Sequence, residues 1–172
     1  MKRPILIHPD PRLKKVCAPV PDLSDELRAL AKDMLETMYA APGIGLAAPQ
    51  VGVLERMFVM DCVKEDGGEP QPMVLINPEI VAVSDEKNTY EEGCLSIPDQ
   101  FADVTRPAEV EMRWLDENGT EHQEVFDGLW ATCAQHELDH LNGKLFIDYL
   151  GPMRRQMMTR KSQKYKREQA RA

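Results

Sequence analysis

The segment Gln135-His136-Glu137-Leu138-Asp139-His140 limits what this chain can fold into more than any other. It reads H-E-x-x-H inside a helical pattern. Histidines four residues apart lie on one helix face, one turn from each other, so both imidazoles can reach one metal ion. Glu137 sits beside them, where it can move protons for a metal-bound water. A hydrolytic metal normally takes three protein ligands plus water. The third ligand must therefore come from a segment that packs beside this helix.

Cys94, in Glu91-Glu92-Gly93-Cys94-Leu95-Ser96-Ile97-Pro98, is the best candidate. Gly93 lets backbone approach closely, and a thiolate binds divalent transition metals strongly. Taken alone, Cys94 reads as a buried inert thiol. Beside H-E-x-x-H and the small-residue loop Gly43-Ile44-Gly45-Leu46-Ala47-Ala48-Pro49-Gln50, the balance reverses.

The 172 residues suit one domain with a workable core. No apolar run approaches a membrane span, and the N-terminal apolar stretch is too short for a signal peptide. A cytoplasmic protein is expected, with Cys17 and Cys62 as buried thiols. The net charge of −8 is unevenly spread: residues 153–172 hold 8 Lys or Arg against 1 acidic residue, and the other 152 hold 13 against 28. We therefore expect a catalytic domain over residues 1–152 and a basic helical tail over 153–172.

Ser24 caps an expected helix whose buried face is Leu27, Leu30, Ala31, Met34, Leu35 and Met38, stopped by Pro42-Gly43. Strands are expected at Met57–Asp61, Val74–Asn77 and Ile80–Val83, with an acidic turn from Lys64 to Pro70. Val110, Met112 and Trp114 alternate with polar residues, Asp116–Gly119 turns, and Thr120–Phe126 returns. A second helix runs from about Gly128 to Leu141, ended by Asn142-Gly143, and a third follows Gly151-Pro152. Strands gathered between helices indicate an α+β fold. Its antiparallel or mixed sheets should pack around the metal-binding helix, with an N-terminal and a C-terminal helix. His8 and His122 read as surface or turn histidines, and Trp114 and Trp130 as core.

Three segments in this order, Gly43–Gln50, Glu92-Gly93-Cys94-Leu95-Ser96 and Gln135–His140, resemble the three signature motifs of the peptide deformylases. The resemblance spans nearly the whole chain, and all three motifs are intact. It implies hydrolytic removal of the N-formyl group from the initiator methionine of nascent bacterial polypeptides. It implies Cys94, His136 and His140 as ligands of one divalent metal ion, typically Fe²⁺, with Zn²⁺, Ni²⁺ or Co²⁺ able to take its place. Glu137 is implied as the acid–base residue, with the Gln50 side chain and the Leu95 backbone N–H as donors to the developing oxyanion. The N-formylmethionyl peptide is expected to add as an extended strand near Ile44, Gly45 and Gly93. Its methionine side chain maps to Ile44, Tyr90, Leu129, Thr132 and Cys133.

Two positions depart from the pattern. Phe101 stands where arginine is common, and Thr132 where an aliphatic residue is common. In the tail, Arg160, Lys164, Arg167 and Arg171 form one basic stripe at helical spacing, which reads as a solvated helix end. In some bacterial members such a helix docks on ribosomal RNA, so the ribosome is a candidate partner. A monomer is expected. Two other readings stay open at the level of sequence: a metallopeptidase using the same helix, and a non-enzymatic metal-binding or adaptor protein.

Overall fold

Helix α1 (Asp25–Ala40) begins where Ser24 Oγ accepts the Leu27 N–H at 3.1 Å, with Asp25 and Glu26 in its first turn. Both devices satisfy or complement the free N–H groups of a helix start. A computed structural model describes this helix and the rest of the chain over residues 1–63 and 68–172. The acidic turn expected at Lys64–Pro70 falls mostly outside the described residues. The remaining elements are β1 (Gly45–Ala47), β2 (Met57–Met60), β3 (Met73–Val83), β4 (Lys87–Cys94), β5 (Ile97–Pro107), β6 (Val110–Leu115), β7 (Glu121–Phe126), α2 (Gly128–Leu141) and α3 (Pro152–Ala170).

Five strands pair in the order β1-β2-β3-β6-β7, and β4 pairs with β5 as a separate hairpin. The pairings between named strands are antiparallel. The expected α+β architecture is borne out. All four residues of β2 are buried because a helix covers each face of the sheet. Leu46, Met57, Val59, Val74 and Ile76 face α1 and pack on Leu30, Met34 and Met38. Ala47, Phe58, Met60, Leu75 and Met112 face the other way, onto Ala131, Ala134, Leu138 and Leu141 of α2. A third apolar cluster joins Ile97, Ala102 and Val104 of β5 to Phe146 and to Met158 of α3. Helix α2 thus lies between the five-stranded sheet and the hairpin, buried on nearly every side.

The structure revises several expectations. The loop at Gly43–Gln50 contains the short strand β1 and a 3-10 turn at Ala48–Val51. The separate strands at Val74–Asn77 and Ile80–Val83 are one strand. Asn77 at φ 51° and a register shift between Ile76 and Glu79 form a bulge, which is where a strand tolerates Pro78. The β4–β5 hairpin lacks the apolar alternation that marks a strand, because its inward positions include Glu92, Gln100 and Arg106.

His8 is another revision, since it is buried rather than at the surface. Thr159 Oγ1 donates to Arg155 O at 2.9 Å, so it accepts from His8 Nε2–H, also at 2.9 Å. The His8 Nδ1 has no partner, and a proton there would be stranded. Burial pushes the His8 pKa down, nearby Lys14 adds to this, and Asp148 opposes it. The folded protein therefore holds His8 neutral. Its contribution to stability is complete above the ordinary value of 6.5 and is lost as pH falls from there through the depressed folded value. Between pH 7.5 and pH 5 the urea midpoint of the parent should fall relative to that of His8→Gln.

Candidate metal centre and active site

Cys94 ends β4 and meets the buried face of α2. Its Sγ lies 3.4 Å from His140 Nε2, and the donor atoms of Cys94, His136 and His140 all fall within 4.8 Å of one another. The two imidazole rings stand 5.0 Å apart at 68°. Glu92 Oε1 lies 2.9 Å from His136 Nδ1 and accepts its N–H. That bond fixes the tautomer and leaves the His136 Nε2 lone pair free.

Glu92 is itself clamped. Arg106 donates from Nε to Oε2 at 2.7 Å and from Nη2 to Oε1 at 3.0 Å, a bidentate fork. The same guanidinium donates from Nη1 to Asp139 Oδ2 at 2.9 Å, and Tyr149 Oη donates to that oxygen at 2.7 Å. The guanidinium carbon lies 4.9 Å from the centre of the Tyr149 ring. Burial works to raise the Glu92 pKa, but its bonds to His136 and Arg106 bring it below the ordinary value.

Gln50 is oriented from both ends of its carboxamide. Oε1 accepts the Ala47 N–H at 2.9 Å, which fixes Nε2 as the end turned to the site. Nε2 donates to Ser96 Oγ at 3.0 Å and leans on Cys94 Sγ at 3.5 Å. The N-terminal segment holds this arrangement: Leu6 N donates to Gln50 O and His8 N to Ser96 O, each at 2.8 Å.

Glu137 is buried, and its Oε1 has no hydrogen-bond partner. Burial pushes its pKa up to about 7; His136 pulls it down and Glu92 pushes it up. A carboxyl that titrates near neutrality suits proton transfer. Gly45 makes room for it. A Cβ there would come within 2.6 Å of Glu137 Oε2 and 2.8 Å of Cys133 Sγ.

The donor set suits a cation. One sulfur and two imidazole nitrogens converge, the combination preferred by divalent transition metals. Burial lowers the His140 pKa far below its ordinary value, so its imidazole is neutral and keeps a lone pair that could bind a metal. Burial also works to lower that of His136, yet Cys94, Glu137 and Glu92 raise it well above the ordinary value. The anionic surroundings thus favour positive charge at this point.

A cleft of about 930 Å³ opens over the centre. Ile44, Gly45, Gln50, Gly93, Cys94, Leu95, His136 and Glu137 line it, so most of the expected site residues come together. Tyr90, Leu129 and Thr132 are not among its walls. Leu129 packs at the edge of the core under α2, Thr132 is buried, and Tyr90 pairs with Val104. Cys133 lies beneath Gly45, with Sγ 3.7 Å from Ile44 O. Sequence reasoning gave no role to Glu92, Ser96, Arg106, Asp139 or Tyr149. The sole signal for Arg106 was a charge in the inward register of a strand that had itself gone unseen.

Sulfur and imidazole donors around one point, with a buried acid alongside, define a metal-dependent hydrolase of the H-E-x-x-H type. Comparison with known proteins narrows the class. The family model described as polypeptide deformylase matches residues 2–156. The peptide deformylase of Rhizorhabdus wittichii is 53% identical over 169 residues, covering 96% of each chain. The crystal structure of a peptide deformylase from Legionella pneumophila superposes with a TM-score of 0.92 at 45% identity, covering 100% of this chain and 99% of that one. The Ehrlichia chaffeensis peptide deformylase, solved in complex with actinonin, gives a TM-score of 0.92 at 41% identity over 96% of this chain and 98% of its own. The chain belongs to the peptide deformylase family.

The clamp on Glu92 makes a testable demand. Arg106→Met leaves the buried Glu92 carboxylate without its guanidinium partner and should cost about 3–5 kcal/mol of stability, read from urea denaturation. Glu92→Gln should weaken metal affinity by roughly 10–100-fold, read by competition with a chromogenic chelator.

Proposed function

We propose that the cleft hydrolyses the formyl amide of N-formylmethionyl peptides, with each residue acting as follows. The observation that carries this reading is the convergence of Cys94, His136 and His140 beside the unpartnered oxygen of Glu137. A divalent cation held by Cys94 Sγ and by one nitrogen each of His136 and His140 would supply Lewis-acid polarisation and an acidified water. Fe²⁺ is the proposed native ion, and the thiolate–imidazole set also accommodates Zn²⁺, Ni²⁺ or Co²⁺.

Ile44 and Gly93 both line the cleft and would receive the peptide as an extended strand. The methionine side chain would enter beside Ile44 and Cys133, with Tyr90, Leu129 and Thr132 as the expected deeper walls. Glu137 Oε1, free of other bonds, takes the proton of the attacking water and delivers it to the leaving amine. Formate and a free N-terminus result. As negative charge develops on the former carbonyl oxygen, Gln50 Nε2 and the Leu95 backbone N–H donate to it. The weak lean of Gln50 on Cys94 Sγ leaves one of its two N–H groups to spare. In this site the Ala47 bond holds the carboxamide in advance, so little reorganisation is needed at the barrier.

The substrate places the reaction in the cytoplasm, where polypeptides emerge from ribosomes. No described helix is long and apolar enough to cross a membrane. Arg160, Lys164 and Arg167 lie exposed on α3 and Arg171 exposed just past its end, a stripe able to meet ribosomal phosphates. The protein is proposed to work as a monomer.

Glu137→Gln should keep its metal, by elemental analysis, and lose at least about a hundredfold in formate release from a formyl-Met peptide. Gln50→Ala should lower kcat by roughly 100–1,000-fold with the metal retained. Parental turnover in Glu137→Gln would reject the proton-transfer role. Reversing the four stripe charges should weaken and flatten the salt dependence of ribosome co-sedimentation.

A further inference from the structure

The two histidines of the candidate metal centre are held in different ways. Glu92 sets the ring angle of His136, with Oε1 2.9 Å from Nδ1. The Nδ1 of His140 is also buried, but no described residue bonds to it. The direction of the His140 ring therefore depends on its own backbone. That backbone lies in the last turn of α2, just before Asn142 caps the helix. Last turns fray, because their carbonyls lack donors within the helix.

Here the carbonyls of that turn are met one by one. Asp139 O accepts from Asn142 N and Lys144 N, both at 2.9 Å, and His140 O from Gly143 N at 3.1 Å. Leu141 O is met from outside the helix. Cys17 N donates to it at 2.8 Å and Arg56 Nη1 at 3.1 Å. The same guanidinium donates from Nη2 to Asn142 Oδ1 at 3.0 Å, and its Nη1 reaches Cys17 O at 3.4 Å.

Arg56 is itself fixed before it reaches out. Its backbone N–H donates to Ala18 O at 3.0 Å, and its carbonyl accepts from Asn77 N at 2.8 Å. It stands immediately before β2, whose four residues are all buried. A rigid strand end thus projects a guanidinium onto the C-terminus of α2. Two effects coincide there. The planar fork spans a backbone carbonyl and a side-chain carbonyl together, which a lysine ammonium does not reproduce. A fixed positive charge also faces the negative end of the helix dipole. The segment before Cys17 closes over the same place: Gly143 takes φ 75°, and a Cβ on it would lie 2.5 Å from Lys14 O.

We infer that Arg56 is a positioning residue for His140: by locking the last turn of α2 it aims that imidazole at the point where Cys94 and His136 converge. Glu92 serves His136 from the hairpin side, and Arg56 serves His140 from the sheet side. The inference rests on the metal-dependent reading above. Arg56 is not among the residues that line the cleft, so it acts through the helix end and not on the substrate. Without the fork, the last turn samples more than one arrangement, and a ligand that is intermittently misdirected releases a cation faster.

The test uses the whole chain loaded with Ni²⁺ or Co²⁺. Arg56→Met keeps the length of the stem and loses the fork; Arg56→Lys keeps the charge. Release of Ni²⁺ to a chromogenic chelator should be roughly tenfold or more faster in Arg56→Met, the scale for an outer partner of a metal ligand. Arg56→Lys should fall between that variant and the parent. The visible absorption bands of the Co²⁺ form, which report ligand geometry, should shift or broaden in Arg56→Met. Leu30→Ala weakens the packing of α1 on the other face of the sheet, controls for general loss of stability, and should release Ni²⁺ at the parental rate. Parental release and an unchanged Co²⁺ spectrum in Arg56→Met, or equally fast release from Leu30→Ala, would overturn the assignment. Should Arg56→Met fail to fold, Arg56→Lys decides alone: faster release supports the assignment and parental release overturns it. A parent that takes up no stoichiometric metal would be a different result, and would remove the metal-centre reading itself.

Discussion

Arg106 is a full charge sealed inside the protein, and the candidate metal centre is built on the way it is neutralised. Such a cation is tolerated only when its partners satisfy it geometrically. Here Glu92 takes two of its N–H groups, Asp139 a third, and Tyr149 lies against its face. Each partner also has a second role. Glu92 orients His136, Asp139 sits between His136 and His140 on α2, and Tyr149 belongs to the segment after that helix. The ion cluster thus joins the hairpin to α2 at the point where Cys94 must meet the imidazoles. A purely apolar contact of the same area would hold the two elements together with far less control over the angle of one ring.

The five-stranded sheet has a different task. It positions Gln50 and Gly45 rather than Cys94, His136 and His140. Strand β1 places Gly45 against Glu137, and the turn after it points the Gln50 carboxamide at the centre. Cys94 comes to α2 from the hairpin and Gln50 from the turn after β1, and the two meet where Gln50 Nε2 leans on Cys94 Sγ. The helix carries the acid between them. Its burial on both sides is also what raises the Glu137 pKa.

The parts of this arrangement that were legible in sequence were those with local signals. Helix α1 declared itself through Ser24 and its apolar stripe, and α2 through H-E-x-x-H and Asn142-Gly143. Cys94 was found because the helix required a third donor. The β4–β5 hairpin was missed because its inward residues include a carboxylate and a guanidinium. Alternation of apolar and polar residues cannot mark a strand whose buried side is charged. The merger of two short strands into β3 was hidden by Pro78, whose bulge depends on pairing with β6. His8 looked like a surface residue because its partner, Thr159, lies near the opposite end of the chain. In each case the missing information was long-range.

The same long-range construction would tie the life of the protein to its supply of metal. Cys94 and the two histidines are gathered from two distant stretches of chain, so an unfolded or half-made polypeptide would offer a cation nothing comparable. Whatever binding free energy an ion released would then favour the native form alone. Scarcity of the ion would then thin the population of intact molecules through degradation, in addition to idling those that remain.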